Sequence, residues 1–505
     1  MGHGVFDVAA VRAAEERLMA QISPGALMQR AATGLESVIA GVLEELRGGV
    51  AGSAVAILVG SGNNGGDALW AGAGLAARGA RVVALTLSSR WHEEGAEALV
   101  ARGGSVRASG SLTDEAVAAL LADADVIIDG ILGIGGRGEL RDRAAQCASW
   151  ASMSGAPVIA VDVPSGVDAD SGAVENEQAC MEADLTVTFG CLKPGLLLAP
   201  GRFFVGGWRL IDIGLGPQLP EANIEVLNDL DLAACVPEPA DADYKYSRGV
   251  VGIAAGSRSY RGAGYLATGA ARVSGVGMVR YLQRDDSLAE SIVNTFWDVV
   301  ISDTVDDPKI TGYAIGPGWG TDEASAETLR DVFDLDVPVV VDADGLRLLA
   351  AEPMREWLID RGERGRVTVL TPHEGEFAAL GYTIDGDRLS AARRAATELG
   401  CVVLLKGPGT VVAAPDGEAF IDTYATAVLG TAGSGDVLTG LMAGMLAAAR
   451  ARTGSLSLNY GARIAAAAAG LHGIAGDIAG RAGRPVTAHD ILEALPDAIG
   501  QVRRR

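Results

Sequence analysis

The sequence predicts an α/β protein of two domains, each with a parallel sheet and helices packed on it. Apolar, strand-like runs alternate with helical segments in both halves, and glycine-rich turns follow many of these runs. Between residues 215 and 240, prolines interrupt any periodic pattern. The length of 505 residues alone also suits three domains. Because of the break, we expect domains at 1–220 and 230–505.

Composition restricts the partners. The formal net charge of −23 argues against nucleic acid and anionic membranes. The best apolar run, 437–449, is too short for a membrane span, and the start of the chain lacks the pattern of a signal peptide. The five cysteines form no CxxC pair, which indicates reduced thiols and a cytoplasmic location. Small molecules are therefore the expected ligands.

The first half predicts a doubly wound, Rossmann-like sheet. Two helices are expected within 5–48, then a strand at Ala54–Val59, a glycine loop at Gly60–Asp67 and a helix to about Arg78. Further strands are predicted at 81–87, 125–129, 157–162 and 185–189. The strand, glycine loop and helix form a unit that suits phosphate binding.

The glycine loop matches a dinucleotide fingerprint, Gly60-x-Gly62-x-x-Gly65, which alone is a weak signal. The fingerprint also requires an acid near the end of the second strand to hold a ribose. Here that strand ends in Ser88-Ser89-Arg90. We therefore disfavour a redox dinucleotide domain.

Oxygen-bearing side chains follow several predicted strands. Asn63, Asn64, Asp129, Asp162 and Ser165 should converge, because ligands bind at the carboxyl ends of parallel strands. Hard oxygen ligands suit an alkali or alkaline-earth cation. The alternative is that Asp129 and Asp162 merely cap helices.

Four sequence runs occur in order: GSGNNGGD from 60, DGILGIGGRG from 129, VDVPSGVD from 161 and TFGCLKPG from 188. These runs resemble the NAD(P)H-hydrate epimerase family over most of residues 10–215. The resemblance implies that a hydrated dinucleotide is bound by Asn63, Asn64, Gly65, Gly66 and Asp67, and by Gly133, Ile134, Gly135, Gly136, Arg137, Gly138 and Glu139. It also implies a potassium ion on Asn64, Asp129 and Ser165. Asp162 would be catalytic at the nicotinamide end, moving a proton as a hydroxyl leaves and returns.

The second half predicts another α/β domain. Strands are expected at 250–254, 312–315, 337–341, 367–370 and 401–405, and helices at 437–449 and 460–475. Gly433-Ser434-Gly435-Asp436 falls where the first of these helices begins, a position that suits phosphate binding. An acid there fits a base that removes a proton from a hydroxyl beside a phosphoryl group. The alternative is a helix start with an acidic first turn.

Six loops of the second half lie at Gly252–Ser257, Tyr260–Ala267, Gly316–Gly320, Asp342–Leu346, Thr371–Phe377 and Leu404–Thr410. In this order they resemble the ADP-dependent NAD(P)H-hydrate dehydratase family, a branch of the ribokinase-like fold, over roughly 245–500. The resemblance implies that adenine nucleotide is bound by Lys406, Gly407, Pro408, Gly409, Thr410 and Gly435. Ala263, Gly318, His373 and the catalytic Asp436 would face the hydrated substrate. His373 has an alternative as a helix cap.

Together the two resemblances imply a bifunctional repair enzyme, an isomerase and a lyase. It would interconvert the R and S forms of the hydrates NADHX and NADPHX and return the S form to NAD(P)H. The donor would be ADP, with ATP as the alternative, and magnesium would assist. A homo-oligomer is also expected. Rival interpretations are a vitamin or sugar kinase with an accessory dinucleotide-binding domain, and a non-catalytic dinucleotide-binding or scaffold protein. The latter leaves Asp162, Lys406 and Asp436 unexplained.

Overall fold

The computed structural model describes residues 2–504, which divide into two compact units. One unit is Gly4–Ala222. The other runs from Asn223 to the end of the described chain and includes His3. Each unit carries its own sheet.

The first unit begins with two helices and continues as alternating strands and helices. Including the short strand that precedes it, its elements are β1 (His3–Gly4), α1 (Val8–Met19), α2 (Ala26–Arg47), β2 (Ala54–Val59), α3 (Asn63–Ala77), β3 (Arg81–Thr86), α4 (Glu93–Ala101), β4 (Ser105–Ala108), α5 (Asp114–Ala122), β5 (Val126–Gly130), α6 (Asp142–Ser154), β6 (Val158–Val161), β7 (Leu185–Phe189), α7 (Arg202–Val205) and β8 (Gly207–Ile211).

The sheet of this unit is parallel, with the order β4-β3-β2-β5-β6-β7-β8. Alternate residues of β2 enter two different cores. Ile57 packs with apolar residues of α2, α3 and α4, whereas Leu58 packs with those of α5 and α6. Helices therefore cover both faces, as expected for a buried parallel sheet.

The second unit is larger. Its elements are β9 (Ile224–Val226), α8 (Asp229–Cys235), β10 (Val250–Ala254), α9 (Arg261–Val273), β11 (Met278–Leu282), α10 (Asp286–Thr295), β12 (Val300–Ser302), β13 (Gly312–Ile315), α11 (Glu323–Asp334), β14 (Val339–Val341), α12 (Asp344–Leu349), α13 (Met354–Glu363), β15 (Thr368–Leu370), α14 (Glu374–Ala379), α15 (Arg388–Leu399), β16 (Val402–Leu405), β17 (Val411–Ala413), β18 (Ala419–Ile421), α16 (Ser434–Thr453), α17 (Leu458–Ala479) and α18 (Ala488–Arg503).

The sheet of the second unit has the order β1-β9-β18-β17-β16-β15-β14-β13-β10-β11-β12. From β16 to β12 neighbouring strands are parallel, and β17 is antiparallel to both β16 and β18. The largest core lies where α9, α16, α17 and α18 pack on one face. The small residues of α16 allow this close packing, since Gly440 touches the backbone of Ala267 on α9.

The predicted α/β class with parallel sheets is confirmed. Strands β2, β10 and β13 have the predicted bounds, and α16 begins at the predicted loop. The sequence interpretation missed short or half-exposed strands, namely β1, β4, β8, β9, β11, β12 and the hairpin of β17 and β18.

Candidate active sites

The first candidate site lies at the carboxyl ends of β2 and β5, where the strand order changes direction. Ligands of open parallel sheets bind at such a point. The loops after these two strands touch, because a Cβ at Gly60 would stand 1.8 Å from the carbonyl oxygen of Ile131. The predicted dinucleotide residues Asn63–Asp67 form the start of α3, where backbone N–H groups are available to an anion.

Asp129, Ser165 and Asn64 converge beside this point. Asp129 is fully buried, and it accepts hydrogen bonds from Ser165 Oγ at 2.6 Å, Ser165 N at 2.8 Å and Ile131 N at 3.2 Å. Asn64 Nδ2 and Ser165 Oγ both lie within hydrogen-bond distance of the Leu132 carbonyl oxygen, at 3.0 and 3.2 Å. Burial raises the pKa of Asp129 to about 6, against the opposing effect of these donors. A nearby cation would stabilise the charged form.

Asp162 follows β6 and forms a buried ion pair with Lys193. Lys193 Nζ lies 2.6 Å from Asp162 Oδ1 and also donates to Thr188 Oγ1 and to the Phe189 carbonyl oxygen, both at 2.9 Å. Asp162 has a φ of +66°, a left-handed conformation that is uncommon outside glycine. Such strain often marks functional sites.

Two further carboxyl groups, on Asp67 and Glu15, lie close enough for the charge of Asp162 to act on them. Burial raises the pKa of Asp67 well above its usual value, and the charges of Asp162 and Glu15 raise it further. Burial and the charge of Asp162 likewise raise the pKa of Glu15. The site therefore combines an ion-paired carboxylate with carboxyl groups that retain protons more readily. Sequence reasoning assigned no role to Glu15 or Lys193, although Lys193 lies within the TFGCLKPG run.

The predicted loop Gly133–Glu139 extends from the same edge. A Cβ at Gly133 would lie 2.8 Å from Asn64 Oδ1, so the loop starts against the cluster around Asp129. Glu139 accepts a hydrogen bond from Asn176 at 2.8 Å, and Arg137 is exposed. The backbone of this loop and the exposed guanidinium of Arg137 are therefore both available to a ligand.

The second candidate site lies where β10 and β13 adjoin, the point at which the order of the larger sheet reverses. The loops after these strands join through a hydrogen bond of 2.7 Å from Gly256 N to the Pro317 carbonyl oxygen. Gly318 has a φ of +59°, and a Cβ there would approach the Cβ atoms of Tyr260 and Ala263 to 2.6 and 3.1 Å. The predicted substrate residues Ala263 and Gly318 are therefore neighbours.

Lys406 follows β16 and meets acidic groups. Its ammonium lies 2.8 Å from Asp342 Oδ1 and 3.7 Å from Glu376 Oε2. Thr439 donates to the other oxygen of Asp342 at 2.9 Å. Burial alone would raise the pKa of Asp342, but Lys406 and Thr439 hold it below its usual range. The sequence prediction treated Lys406 as a ligand of the adenine nucleotide and did not identify its carboxylate partners.

The predicted nucleotide loop begins at Lys406 and is braced internally. Thr410 Oγ1 donates to the Gly407 carbonyl oxygen at 2.9 Å. Arg388, which is 3 % exposed, donates to the Lys406 carbonyl oxygen at 2.8 Å and pairs with Glu374. This buried guanidinium fixes the loop and adds positive charge next to it.

Asp436 lies in the first turn of α16, two residues after the helix begins. A Cβ at the preceding Gly435 would lie 3.3 Å from Lys406 Nζ and 3.5 Å from Asp342 Oδ2. The helix start and the lysine are therefore adjacent. Burial raises the pKa of Asp436 to about 7, Asp342 and Glu376 raise it too, and Lys406 opposes them. A carboxyl group with this pKa can exchange a proton near neutral pH.

His373 caps a helix. Its Nδ1 accepts hydrogen bonds from Gly375 N at 3.0 Å and Glu376 N at 3.2 Å, and Glu376 bonds back to the His373 N–H at 2.9 Å. This is the capping alternative considered above. Because the side chain is 61 % exposed, a substrate contact by its other ring nitrogen stays a prediction.

His472 was missed by the sequence interpretation. It lies on α17, and its Nε2 is 3.1 Å from the Oγ of Ser434, the first residue of α16. Burial lowers the pKa of His472 to about 4, so the ring is neutral near pH 7. It anchors the helix start that carries Asp436.

Two observations concern metals and membranes. Within residues 2–504, no three His, Cys, Asp or Glu side chains are grouped so that they could hold a metal ion. In the same part of the chain, none of the helices has the length and apolarity needed to cross a bilayer.

The fold and the two candidate sites define an α/β protein with a buried Asp close to a Lys at one edge of each sheet. Two family models match it. The model of the YjeF-related protein N-terminus matches residues 24–195, and the model of NAD(P)H-hydrate dehydratase matches residues 251–497.

Curated relatives match most of the chain. The bifunctional NAD(P)H-hydrate repair enzyme of Mycobacterium leprae is 42% identical over 447 residues, which is 88% of this chain and 89% of that protein. The enzyme of the same name from Escherichia coli is 33% identical over 87% of this chain and 84% of its own length. The chain belongs to the family of bifunctional NAD(P)H-hydrate repair enzymes, and the predicted family is confirmed.

A solved structure also matches the second unit. The ADP/ATP-dependent NAD(P)H-hydrate dehydratase from Bacillus subtilis, crystallised with ATP and Mg²⁺, is 24% identical, with a TM-score of 0.47. The match covers 55% of this chain and 98% of that one.

Proposed function

We propose that the first unit interconverts the R and S epimers of NADHX and NADPHX, and that the second unit converts the S epimer to NAD(P)H. The observation that carries the proposal is the 42% identity to a bifunctional repair enzyme over 88% of the chain. Two aspartates support the proposal: the buried Asp129 at the strand-order reversal of the first sheet, and the half-buried Asp436 at the start of α16 in the second unit.

In the first unit, we propose that a carboxyl group near Asp162 protonates the hydroxyl of the hydrate. The C–O bond then breaks and water departs, leaving a cationic ring stabilised by the ring nitrogen. Water returns to the other face, and its proton passes back to a carboxylate, so atoms and charge balance. Asp67 and Glu15 have the raised pKa values that suit the acid, and Asp162 suits the base.

In the second unit, we propose that Asp436 accepts the proton of the substrate hydroxyl as that oxygen attacks the terminal phosphorus of ADP or ATP. The bond from this phosphorus to the bridging oxygen breaks, and with ADP the product is AMP. The C–O bond of the new phosphate ester then breaks, phosphate leaves with the electron pair of that bond, and loss of a proton from the adjacent ring carbon restores the double bond. The free N–H groups at the start of α16 would stabilise the transferring phosphoryl group.

Lys406 has two roles in this proposal. Its ammonium is held by Asp342 at 2.8 Å, so it cannot move freely toward a phosphate. Lys406 offsets the negative charges of Asp342 and Glu376 near Asp436. It also places a positive charge beside the loop that would bind the nucleotide. Magnesium would arrive on the nucleotide phosphates, since Mg²⁺ commonly binds through phosphates and few protein ligands. When bound, it would neutralise phosphate charge.

A potassium ion fits the cluster around Asp129 in the first unit. Asn64 Oδ1, Ser165 Oγ and the Leu132 carbonyl oxygen supply neutral donors, and Asp129 supplies one charge. One charge among neutral oxygens suits a monovalent cation better than a divalent one. The ion would offset the burial of Asp129 and fix the loop that begins at Gly133.

The experiment for the overall proposal uses purified protein and an equilibrated mixture of both epimers. With ADP or ATP, absorbance of the reduced nicotinamide should return for the whole mixture, with AMP and phosphate as products when ADP is used. A stable phosphorylated product would instead favour the vitamin or sugar kinase. We also propose a cytoplasmic homo-oligomer, which sedimentation of the native protein would test.

A further inference from the structure

Lys193 is a buried cation in the first unit. The chain has four lysines, at positions 193, 245, 309 and 406. Lys193 is 1 % exposed, and all three N–H groups of its ammonium have acceptors, on Asp162, Thr188 and Phe189. Burial of a charge is costly unless it is paired and hydrogen-bonded. Here the ammonium of Lys193 has both a charged partner and an acceptor for each of its N–H groups.

The contacts of Asp162 are one-sided. Lys193 Nζ at 2.6 Å, Thr188 Oγ1 at 3.1 Å and Phe189 N at 3.4 Å all approach Oδ1. In the described chain, the hydrogen bonds given to this carboxylate all fall on that oxygen. The side chain keeps 11 % exposure, whereas Lys193 keeps 1 %. One oxygen is therefore fixed and the other is left for a ligand.

We propose that Lys193 is the positioning residue of the first site, which holds Asp162 by one oxygen and turns the other toward the hydrated ring. The inference rests on the proposed role of Asp162 in epimerisation. Lys193 acts through Asp162 and contacts no reacting atom. Because all three N–H groups of the Lys193 ammonium are hydrogen-bonded, substrate does not displace it. The Asp162 carboxylate therefore keeps one orientation through the reaction.

The ionisable groups near Lys193 make its proposed role measurable through the pH profile of epimerisation. Glu15 and Arg12 on α1 and Asp67 on α3 act on the same region, together with the Cys191 thiol. Burial and the charge of Asp162 raise the pKa of Glu15, and the charge of Lys193 opposes them. Without Lys193, Glu15 would bind its proton at higher pH, and the pH profile of epimerisation would move upward.

The test compares Lys193→Met, Asp162→Asn and the double variant in the full-length chain. Conversion of R to S hydrate is followed at several pH values, and dehydration of S hydrate serves as an internal reference. In Lys193→Met we expect kcat for epimerisation to fall about a hundredfold, as for a misplaced catalytic group. KM should change little, the pH profile should move upward, and the double variant should be no slower than Asp162→Asn. Lys309→Met, at an exposed lysine of the other unit, should match the wild type.

Two results would overturn the proposal. One is epimerisation by Lys193→Met within about threefold of wild type, with an unmoved pH profile. The other is a double variant whose loss equals the product of the single losses, which would mean independent roles. Lys193→Gln retains N–H donors without charge and is used if Lys193→Met does not fold; the same outcomes apply. Normal epimerisation by Asp162→Asn would instead reject the proposed role of Asp162.

Discussion

The two units place an aspartate and a lysine near each other in different ways. In the first unit, Lys193 contacts Asp162 directly at 2.6 Å. In the second unit, Lys406 contacts Asp342 and Glu376, and it acts on Asp436 from a greater distance. Burial, together with the charges of Asp342 and Glu376, raises the pKa of Asp436 to about 7 although Lys406 opposes them.

The difference corresponds to two kinds of proton transfer. In the first unit, the ion pair with Lys193 fixes the orientation of Asp162. This suits a site where the neighbouring carboxyl groups of Glu15 and Asp67 supply and take back the proton of the substrate hydroxyl. An aspartate near neutral pKa at a helix start can take a proton itself as a phosphoryl group is transferred. The same two residue types therefore support different chemistry because their partners differ.

The largest expected effect is a separation of the two activities. Asp436→Asn should slow dehydration about a hundredfold to ten-thousandfold, because Asn cannot accept the proton. Nucleotide binding should persist or tighten, and R-to-S conversion should be unchanged. Asp162→Asn should slow R-to-S conversion and leave the dehydration of S hydrate unchanged. The assays are nucleotide-dependent absorbance recovery from S hydrate, nucleotide binding and epimerisation; loss of all three in Asp436→Asn would indicate a structural role.

The second prediction concerns pH. Because a general base works when deprotonated, kcat/KM for dehydration should fall about tenfold per pH unit below the pKa of Asp436, about 7. Lys406→Gln should move this midpoint upward, since Lys406 opposes the raised pKa. The measurement is a pH profile of S-hydrate turnover at saturating nucleotide. A flat profile between about pH 5 and 7 would contradict the assignment.

The third prediction concerns stability. The pKa of Asp436 rises from 3.8 in the unfolded chain to about 7 in the folded one. The stability linked to its proton is present below the unfolded value and is lost as pH rises through the folded value. Asp436→Asn should therefore stabilise the second unit by about 2–4 kcal/mol near pH 8.

This gain should shrink as pH falls toward 4. Thermal unfolding at several pH values measures it, with the transition of the second unit identified by its response to nucleotide. An equal gain at all pH values would show that ionisation of Asp436 is not its cause.

The smallest expected effect is the response to potassium. Potassium should raise the melting temperature of the first unit relative to choline by a few degrees, because the ion would bind the folded state. Asp129→Ala should abolish this difference and weaken hydrate binding. An equal response in wild type and Asp129→Ala would place the ion elsewhere.

Sequence alone predicted what local pattern determines. The apolar run Ala54–Val59 is buried on both faces and has the predicted bounds, and the glycine turn before Asp436 marks the start of α16. The hairpin of β17 and β18 was missed because each strand has three residues, although Pro415-Asp416-Gly417 is a turn signal between them.

The partners of the site residues could not be predicted, because they depend on tertiary contacts. Lys193 reaches Asp162 across 31 positions, and Lys406 reaches Asp342 across 64. The strand ends indicated which aspartates lie at the sheet edge. They gave no information on which lysine neutralises which aspartate, or on the resulting pKa.

Complementation tests the central claim most directly. Pure R hydrate and ADP are given to Asp162→Asn, to Asp436→Asn and to an equimolar mixture of the two. Each variant alone should restore NAD(P)H no faster than its residual activity and uncatalysed epimerisation allow. The mixture should restore it rapidly, because S hydrate made by one variant is used by the other. A mixture as slow as the separate variants would contradict the assignment of one activity to each unit.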